Sequence, residues 1–185
     1  RSWCTERPAA MTDLVLVRPG VTSRAESHWS HSLPLGLGYL ASSCRSNGIS
    51  VAIVDGKLNR HSSLDEAVKE IIAHNPIVVG ISALTIEFPL ACAIAKRIKD
   101  NAPSTIIILG GAHANALPSQ SLSESPEFDY LIAGEAESSI VEFVKSVRDG
   151  STPDLISGLY RRTNDNSIVS SVTARYDHDI ESLPF

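Results

Sequence analysis

Most of the residues that advertise a chemistry are scarce in this chain. Its 185 residues hold only three cysteines, one methionine and two tryptophans, and aromatics make up 5%. Cys4, Cys44 and Cys92 form an odd, widely separated set without CxxC spacing. Neither a disulfide framework nor a thiolate metal site is indicated, and a reducing cytoplasm is the expected compartment. No apolar run approaches the roughly 18 residues of a membrane span, and the N-terminus lacks the basic-then-apolar order of a signal peptide, so no membrane partner is expected. Basic charge is also in deficit: 16 Lys and Arg against 21 Asp and Glu give a net charge of -5. Nucleic-acid binders display a basic face, so nucleic acid is not an expected partner. P-loop, HExxH, GxSxG and CxxxCxxC motifs are all missing, which leaves hydrolase and iron-sulfur readings of this chain without residues. A receiver domain needs clustered acids after strand one and a lysine after strand five, and Arg18-Pro19-Gly20 and Ala133-Gly134-Glu135 supply neither. Thr22 and Ser23 are only a faint match for a flavodoxin phosphate loop.

What remains is the composition of a globule, 43% hydrophobic and 20% charged, at a length that suits one domain around one core. Residues 1–10, RSWCTERPAA, have no periodicity and precede Met11, the only methionine; they read as a leader outside the fold, added in cloning or untethered. Asp13 to Val17 (DLVLV), closed by Pro19-Gly20, reads as strand one. A long polar connection to Leu33 follows, with His28, Trp29 and His31, and connections of that length are usually functional. Pro34 to Asn47 predicts a helix ended by Gly48, and Ser50 to Val54 predicts strand two. Ser63 and Glu66 form a capping box for a helix running to Asn75-Pro76. Strand three is expected at Ile77 to Ser82, a helix at Ile86 to Asn101, strand four at Thr105 to Leu109, strand five at Tyr130 to Ala133 and a helix from Ala136 to Arg148. After Gly150, Ile156 to Arg162 and Ser167 to Val172 bracket Asn164-Asp165-Asn166 as a hairpin, and YDHDIESLPF looks like a linker cut short.

Five strands alternating with helices call for parallel crossovers. The expected fold is α/β: a flavodoxin-like, Rossmann-type three-layer sandwich with a five-stranded parallel sheet over residues 11–150, and a small C-terminal hairpin and linker over 151–185. Ligands of such sheets bind at the carboxyl ends of the strands, beside the point where strand order reverses. Gly110 and Gly111 end strand four, where residues without Cβ admit a bulky ligand, although a plain tight turn would use them equally well. His113 could reach the same edge. Ser82 and Thr85 bring hydroxyls there and Leu84 an apolar wall, while Gly134 and Glu135 close strand five at a helix start that suits a carboxylate without any binding role. Gly36, Gly38 and Ala41, with Asp55 19 residues after Gly36, imitate a dinucleotide fingerprint. That alternative, an oxidoreductase domain, suffers from context, because 18 residues separate Val17 from Gly36.

Together LPLGLGYLA, VVGISALT with AIAKRIK, ILGGAHANALP, DYLIAGEAE and IESLPF occur in an order that resembles the N-terminal cobalamin-binding domain of cobalamin-dependent radical S-adenosylmethionine enzymes, from about Met11 to Phe185. The resemblance implies that Ser82 and Leu84 flank the benzimidazole tail of cobalamin and that Gly110-Gly111 let it pass. It implies further that Ala112, His113 and Ala114 line the channel, that Leu35, Gly36, Leu37 and Tyr39 press on the corrin, and that Gly134-Glu135 lie beside it. Ala136 stands where the family often has a second glycine. Many cobalamin proteins carry Asp-x-His-x-x-Gly after strand one. This chain does not; Asp55-Gly56-Lys57 follows the wrong strand, and neither His28 nor His31 has an Asp two residues earlier to orient it. Base-off cobalamin without a protein histidine is therefore expected, its lower cobalt face open, water-bound or shielded by apolar side chains. The chain alone is expected to be non-catalytic. Its implied parent is a methyltransferase, cyclase or ring-rearranging enzyme acting on a small-molecule substrate, with a 4Fe-4S cluster and S-adenosylmethionine in a barrel domain in cis. A domain that keeps the fold but serves protein interaction without a ligand is the remaining alternative.

Overall fold

The computed structural model describes residues 11–20, 33–58, 61, 63–173 and 184. The leader, the stretch holding Thr22, Ser23, His28, Trp29 and His31, and most of YDHDIESLPF lie outside the described residues. The elements in chain order are β1 (Thr12–Arg18), α1 (Leu35–Ser46), β2 (Val51–Asp55), α2 (Leu64–Ala73), β3 (Pro76–Ser82), α3 (Phe88–Asn101), β4 (Ile106–Gly110), α4 (Ala112–Ala116), α5 (Pro118–Glu124), β5 (Tyr130–Ile132), α6 (Glu137–Arg148), β6 (Leu159–Arg162) and β7 (Ile168–Ser170). No helix among the described residues is long and apolar enough to cross a membrane.

The strands form one sheet in the order β2-β1-β3-β4-β5-β6-β7. β1 to β5 pair in parallel, as the alternation of strands and helices requires. The sheet nevertheless has seven strands, where five were expected with a separate hairpin. β6 pairs antiparallel with β5 and β7 with β6, so the hairpin continues the sheet. The reason is burial. β5 is only three residues long, and Leu159 of β6 is fully buried beside Ile132 and Phe143, which covers an edge that would otherwise be bare.

β1 is flanked by β2 and β3 and buries residues on both faces, as parallel strands covered by helices do. Val15, Val17, Val79, Ile81, Ile107 and Leu109 meet α2, α3, α4 and α5 on one side. Leu14, Leu16, Val78, Ile108 and Ile132 meet α1 and α6 on the other. α1 turns Leu37, Ala41 and Cys44 inward at spacings of four and three, and Gly48, at φ 72°, stops it. α2 begins at Ser63, whose Oγ accepts from the Glu66 N–H at 3.2 Å as the capping box predicts. Crossovers from β1 through α1 and from β2 through α2 thus take opposite faces, and the carboxyl ends of β1 and β3 meet where strand order reverses.

If β6 shares this core, Leu159→Ala costs the whole chain about 3 kcal/mol in a single unfolding transition by denaturant titration. An effect under about 0.5 kcal/mol, the range of ordinary surface substitutions, would mark the hairpin as an appendage.

Candidate functional site

Side chains alternate along a strand, so Arg18, Ser82 and Gly110, two residues beyond Leu16, Gly80 and Ile108, face the α1 side at the carboxyl edge. Over them the start of α1 arrives. An open cleft of about 210 Å³ is lined by Arg18, Pro34, Leu35, Gly36, Leu37, Lys57, Ser82, Ala83, Leu84, Glu87 and Ala112. Six of the residues expected from the sequence meet there: Leu35, Gly36, Leu37, Ser82, Leu84 and Ala112. The volume is below the roughly 300 Å³ where small-molecule sites begin, so it suits one arm of a larger ligand lying across the edge. Part of its wall suits a flat apolar ring. A Cβ at Gly36 would meet nothing within 4 Å, Ser82, Ala83 and Ala112 are small, and the side chains of Leu35 and Leu84 are 68% and 51% exposed, while Arg18, Lys57 and Glu87 bring charge to the sheet edge.

The two glycines after strand four do different things. Ala83 donates its N–H to Gly110 O and accepts from the His113 N–H, both at 3.1 Å, which stitches the end of β3 to the turn after β4. Gly111 passes through this junction at φ 87° and ψ -172°, a region open essentially to glycine alone. A Cβ on it would lie 2.7 Å from Ser82 Oγ and 2.9 Å from Ala83 N. Gly111 therefore serves the floor of the pocket. A Cβ on Gly110 meets only Ile132 O at 3.9 Å, so the protein leaves that position open on the α1 side.

His113 is buried at 5% exposure, with its ring stacked on Phe88 at 3.9 Å between centroids and Nδ1 3.3 Å from Thr85 Oγ1. Burial holds its pKa below the usual histidine value, partly offset by the Glu124 carboxylate. His113 and Ala114 thus pack beneath the junction, on the face opposite α1, and not on the pocket wall. Gly134, at φ 91°, is held from α4 by Asn115, whose Oδ1 accepts its N–H at 2.8 Å; neither Gly134, Glu135 nor Tyr39 lines the pocket. Ala136 caps α6 at φ -106°, so that backbone does not require the glycine common in the resembling family.

The pocket's charges were not legible as a site. Arg18 Nη1 lies 3.4 Å from Asp55 Oδ2, and Asp55 Oδ1 accepts the N–H of Lys57 at 2.9 Å. Lys57 Nζ pairs with Glu87 Oε1. These bonds also answer the dinucleotide reading. Both oxygens of Asp55, 4% exposed, are engaged by protein, and Gly36 and Gly38 sit inside α1 instead of directly after β1. Glu87 was hidden inside a predicted helix, and no local signal marks it, because Leu84 three residues earlier has no side-chain acceptor to complete a capping box.

Fold and site together define a sheet-edge ligand-binding domain with a cleft at the β1/β3 switch point. More particularly, residues 30–144 match the family model for the B12 binding domain, and the chain belongs to that family. Among curated relatives it is 33% identical over 131 residues to an uncharacterized methyltransferase of Pyrococcus horikoshii, covering 71% of this chain and 28% of that protein. It is 23% identical over 151 residues to the anaerobic magnesium-protoporphyrin IX monomethyl ester cyclase of Synechocystis, covering 80% and 30%. The chain therefore spans less than a third of either relative. Among solved structures it is similar to the cobalamin-dependent S-adenosylmethionine radical enzyme OxsB with aqua-cobalamin and S-adenosylmethionine bound, with a TM-score of 0.74 and 19% identity over 92% of this chain and 23% of that one. The radical S-adenosylmethionine methyltransferase TsrM of Kitasatospora setae, with cobalamin and a 4Fe-4S cluster bound, matches with a TM-score of 0.68 and 19% identity over 94% of this chain and 31% of that one.

Gly111→Val should lower unfolding stability by at least about 2 kcal/mol, whereas Gly110→Ala should stay within about 1 kcal/mol of wild type in the same denaturant titration. Equal losses at both positions would contradict the division of labour between them. His113 adds a pH dependence. Its folded pKa is depressed below the 6.5 of the unfolded chain, so its contribution is complete above about pH 6.5 and is lost as pH falls through the folded value. Between pH 7.5 and pH 5 the wild type should therefore lose more stability than His113→Gln; identical losses would remove the imidazole as the cause.

Proposed function

We propose that this domain holds cobalamin at the carboxyl edge of its sheet, with the nucleotide arm in the cleft between α1 and the ends of β1 and β3. The single observation that carries this reading is the cleft walled by Gly36, Ser82, Ala83 and Ala112, with the open Gly110 position beside Ser82 on the same face of the sheet, in a chain of the B12-binding family. Leu35, Gly36, Leu37, Ser82, Leu84 and Ala112 would hold the arm directly. Thr85, Gly111, His113, Ala114, Gly134 and Glu135 would act by shaping the edge from below and beside it, and Tyr39 through α1. Bound cobalamin supplies a cobalt centre that can take up and pass on a methyl group.

The cofactor is held base-off and without a protein histidine. Among the described residues no histidine lines the cleft, and His113 is committed to its stack on Phe88. In the longer protein implied by the relatives, residues 151–185 lead on to a barrel that carries the iron-sulfur cluster and S-adenosylmethionine and acts on a small molecule. The cytoplasm suits Cys44, a free buried thiol whose pKa burial pushes up to about 12.

Mixing the purified chain separately with hydroxocobalamin, NAD and FMN, desalting and recording spectra tests this. A retained base-off corrinoid spectrum is expected, and electron spin resonance of the cob(II)alamin form should show no axial nitrogen splitting. Gly110→Val, whose Cβ would meet only Ile132 O at 3.9 Å in the ligand-free fold, should abolish retention while leaving stability within about 1 kcal/mol of wild type. Retention of NAD in place of the corrinoid would replace the proposal with the dinucleotide reading. Axial splitting would overturn the histidine-free mode alone.

A further inference from the structure

Leu84 is half exposed at the mouth of the cleft, and an apolar side chain standing there is useful to a ligand only if its backbone is fixed. Two reciprocal bonds fix it. The Leu84 N–H donates to Glu87 Oε2 at 3.0 Å, and the Glu87 N–H donates to Leu84 O at 2.9 Å. The second carboxylate oxygen of Glu87 takes the ammonium of Lys57. Lys57 follows β2 and Glu87 follows β3, and β1 lies between those strands in the sheet. The ion pair therefore crosses over the end of β1, where the cleft opens, and both side chains line the cleft at 28% and 12% exposure. Thr85 and Ile86, between the two bonded residues, turn to His113 and to solvent, so Leu84 and Glu87 are the two residues of this turn that line the cleft.

We infer that Glu87 is a positioning residue for the ligand: its carboxylate holds the Leu84 wall against the nucleotide arm, and Lys57 holds that carboxylate in place. The inference rests on the proposed binding of cobalamin. It assigns affinity to a residue that touches the arm through Leu84, and it distinguishes two tasks of one carboxylate. The hydrogen bond to Leu84 needs an acceptor of any charge, whereas the bond to Lys57 needs a negative one. A swap of the two charges keeps the ion pair but leaves an ammonium facing the Leu84 N–H, two donors with no acceptor between them.

The test measures hydroxocobalamin dissociation from the whole chain, alongside amide hydrogen exchange at Leu84 and the thermal midpoint of the ligand-free protein. Glu87→Ala should speed dissociation roughly tenfold, the equivalent of one charge-assisted hydrogen bond, and should deprotect the Leu84 amide. Its thermal midpoint should stay near that of wild type. Glu87→Gln, which still offers an acceptor, should keep the amide protected and recover most of the slow dissociation. Lys57→Met should fall between the two. The double variant Lys57→Glu, Glu87→Lys should dissociate as fast as Glu87→Ala. Rescue by that double variant, or equal rates for wild type and Glu87→Ala, would overturn the inference while leaving cobalamin binding intact. Failure of the wild-type chain to retain the corrinoid would overturn the proposed function, and this inference with it.

Discussion

The carboxyl edge of the sheet depends on backbone passing directly against backbone. A Cβ on Gly56 would come 2.5 Å from Gly20 O, one on Gly20 would come 2.6 Å from the Gly56 carbonyl carbon, and one on Gly111 would come 2.7 Å from Ser82 Oγ. The accompanying bonds, Gly56 N–H to Arg18 O and Ala83 N–H to Gly110 O, fasten β1 to β2 and β3 to β4 beyond the ends of the strands. Between these fastened pairs runs the seam of β1 and β3, and the cleft lies over it. Strand order reverses at that seam because successive crossovers take opposite faces. The fold thus opens one seam and closes the seams on either side of it, and glycine at Gly20, Gly56 and Gly111 is what permits the closure.

Charge follows the same plan. Arg18 with Asp55 adds a side-chain tie across the fastened β1/β2 seam, and Lys57 with Glu87 spans the open one. Among the described residues each cation lining the cleft is paired with a carboxylate, which lowers the net charge these side chains present to an entering ring. Asp55 is buried, and its desolvation is offset by the bonds it accepts from Arg18 and from the Lys57 N–H. The aliphatic stem of Lys57 adds apolar wall below its ammonium.

The order of elements was legible because each carries a local signal of the right period: DLVLV for a buried strand, Ser63 with Glu66 for a helix start, Gly48 and Gly150 for helix ends. The carboxyl-edge location followed from topology alone. What escaped was contact between segments far apart in the chain. Lys57 and Glu87 are 30 positions apart and separated by a helix and a strand, and nothing local marks either as the other's partner. His113 looked like an edge ligand because residue numbers place it after β4, but helical α4 rotates its ring under the junction onto Phe88. The glycine pair was legible as a pair, and only the backbone angles and the space around them separate Gly111, needed by the fold, from Gly110, where a Cβ would meet little protein. The hairpin was read as a hairpin. That it would join the sheet depended on a three-residue β5 whose exposed edge no pattern in β6 or β7 announces.

The apolar side chains left exposed are not spread evenly. Leu33 and Leu35 precede or open α1, Leu58 follows β2, and Leu84 and Ile86 follow β3, with exposures of 71%, 68%, 45%, 51% and 87%. Single exposed leucines are ordinary on a protein surface, but a group of them around one edge marks a surface built to be covered. The same edge holds the cleft, and the hairpin extends the sheet at β5, three strands away from β1. A ligand that filled only the 210 Å³ cleft would leave most of this rim wet. On the proposed function, a corrin lying across the strand ends and capped by a further domain would cover it. If the proposed function holds, this rim suits a module that presents its cofactor outward to a second domain better than one that closes over its cofactor alone.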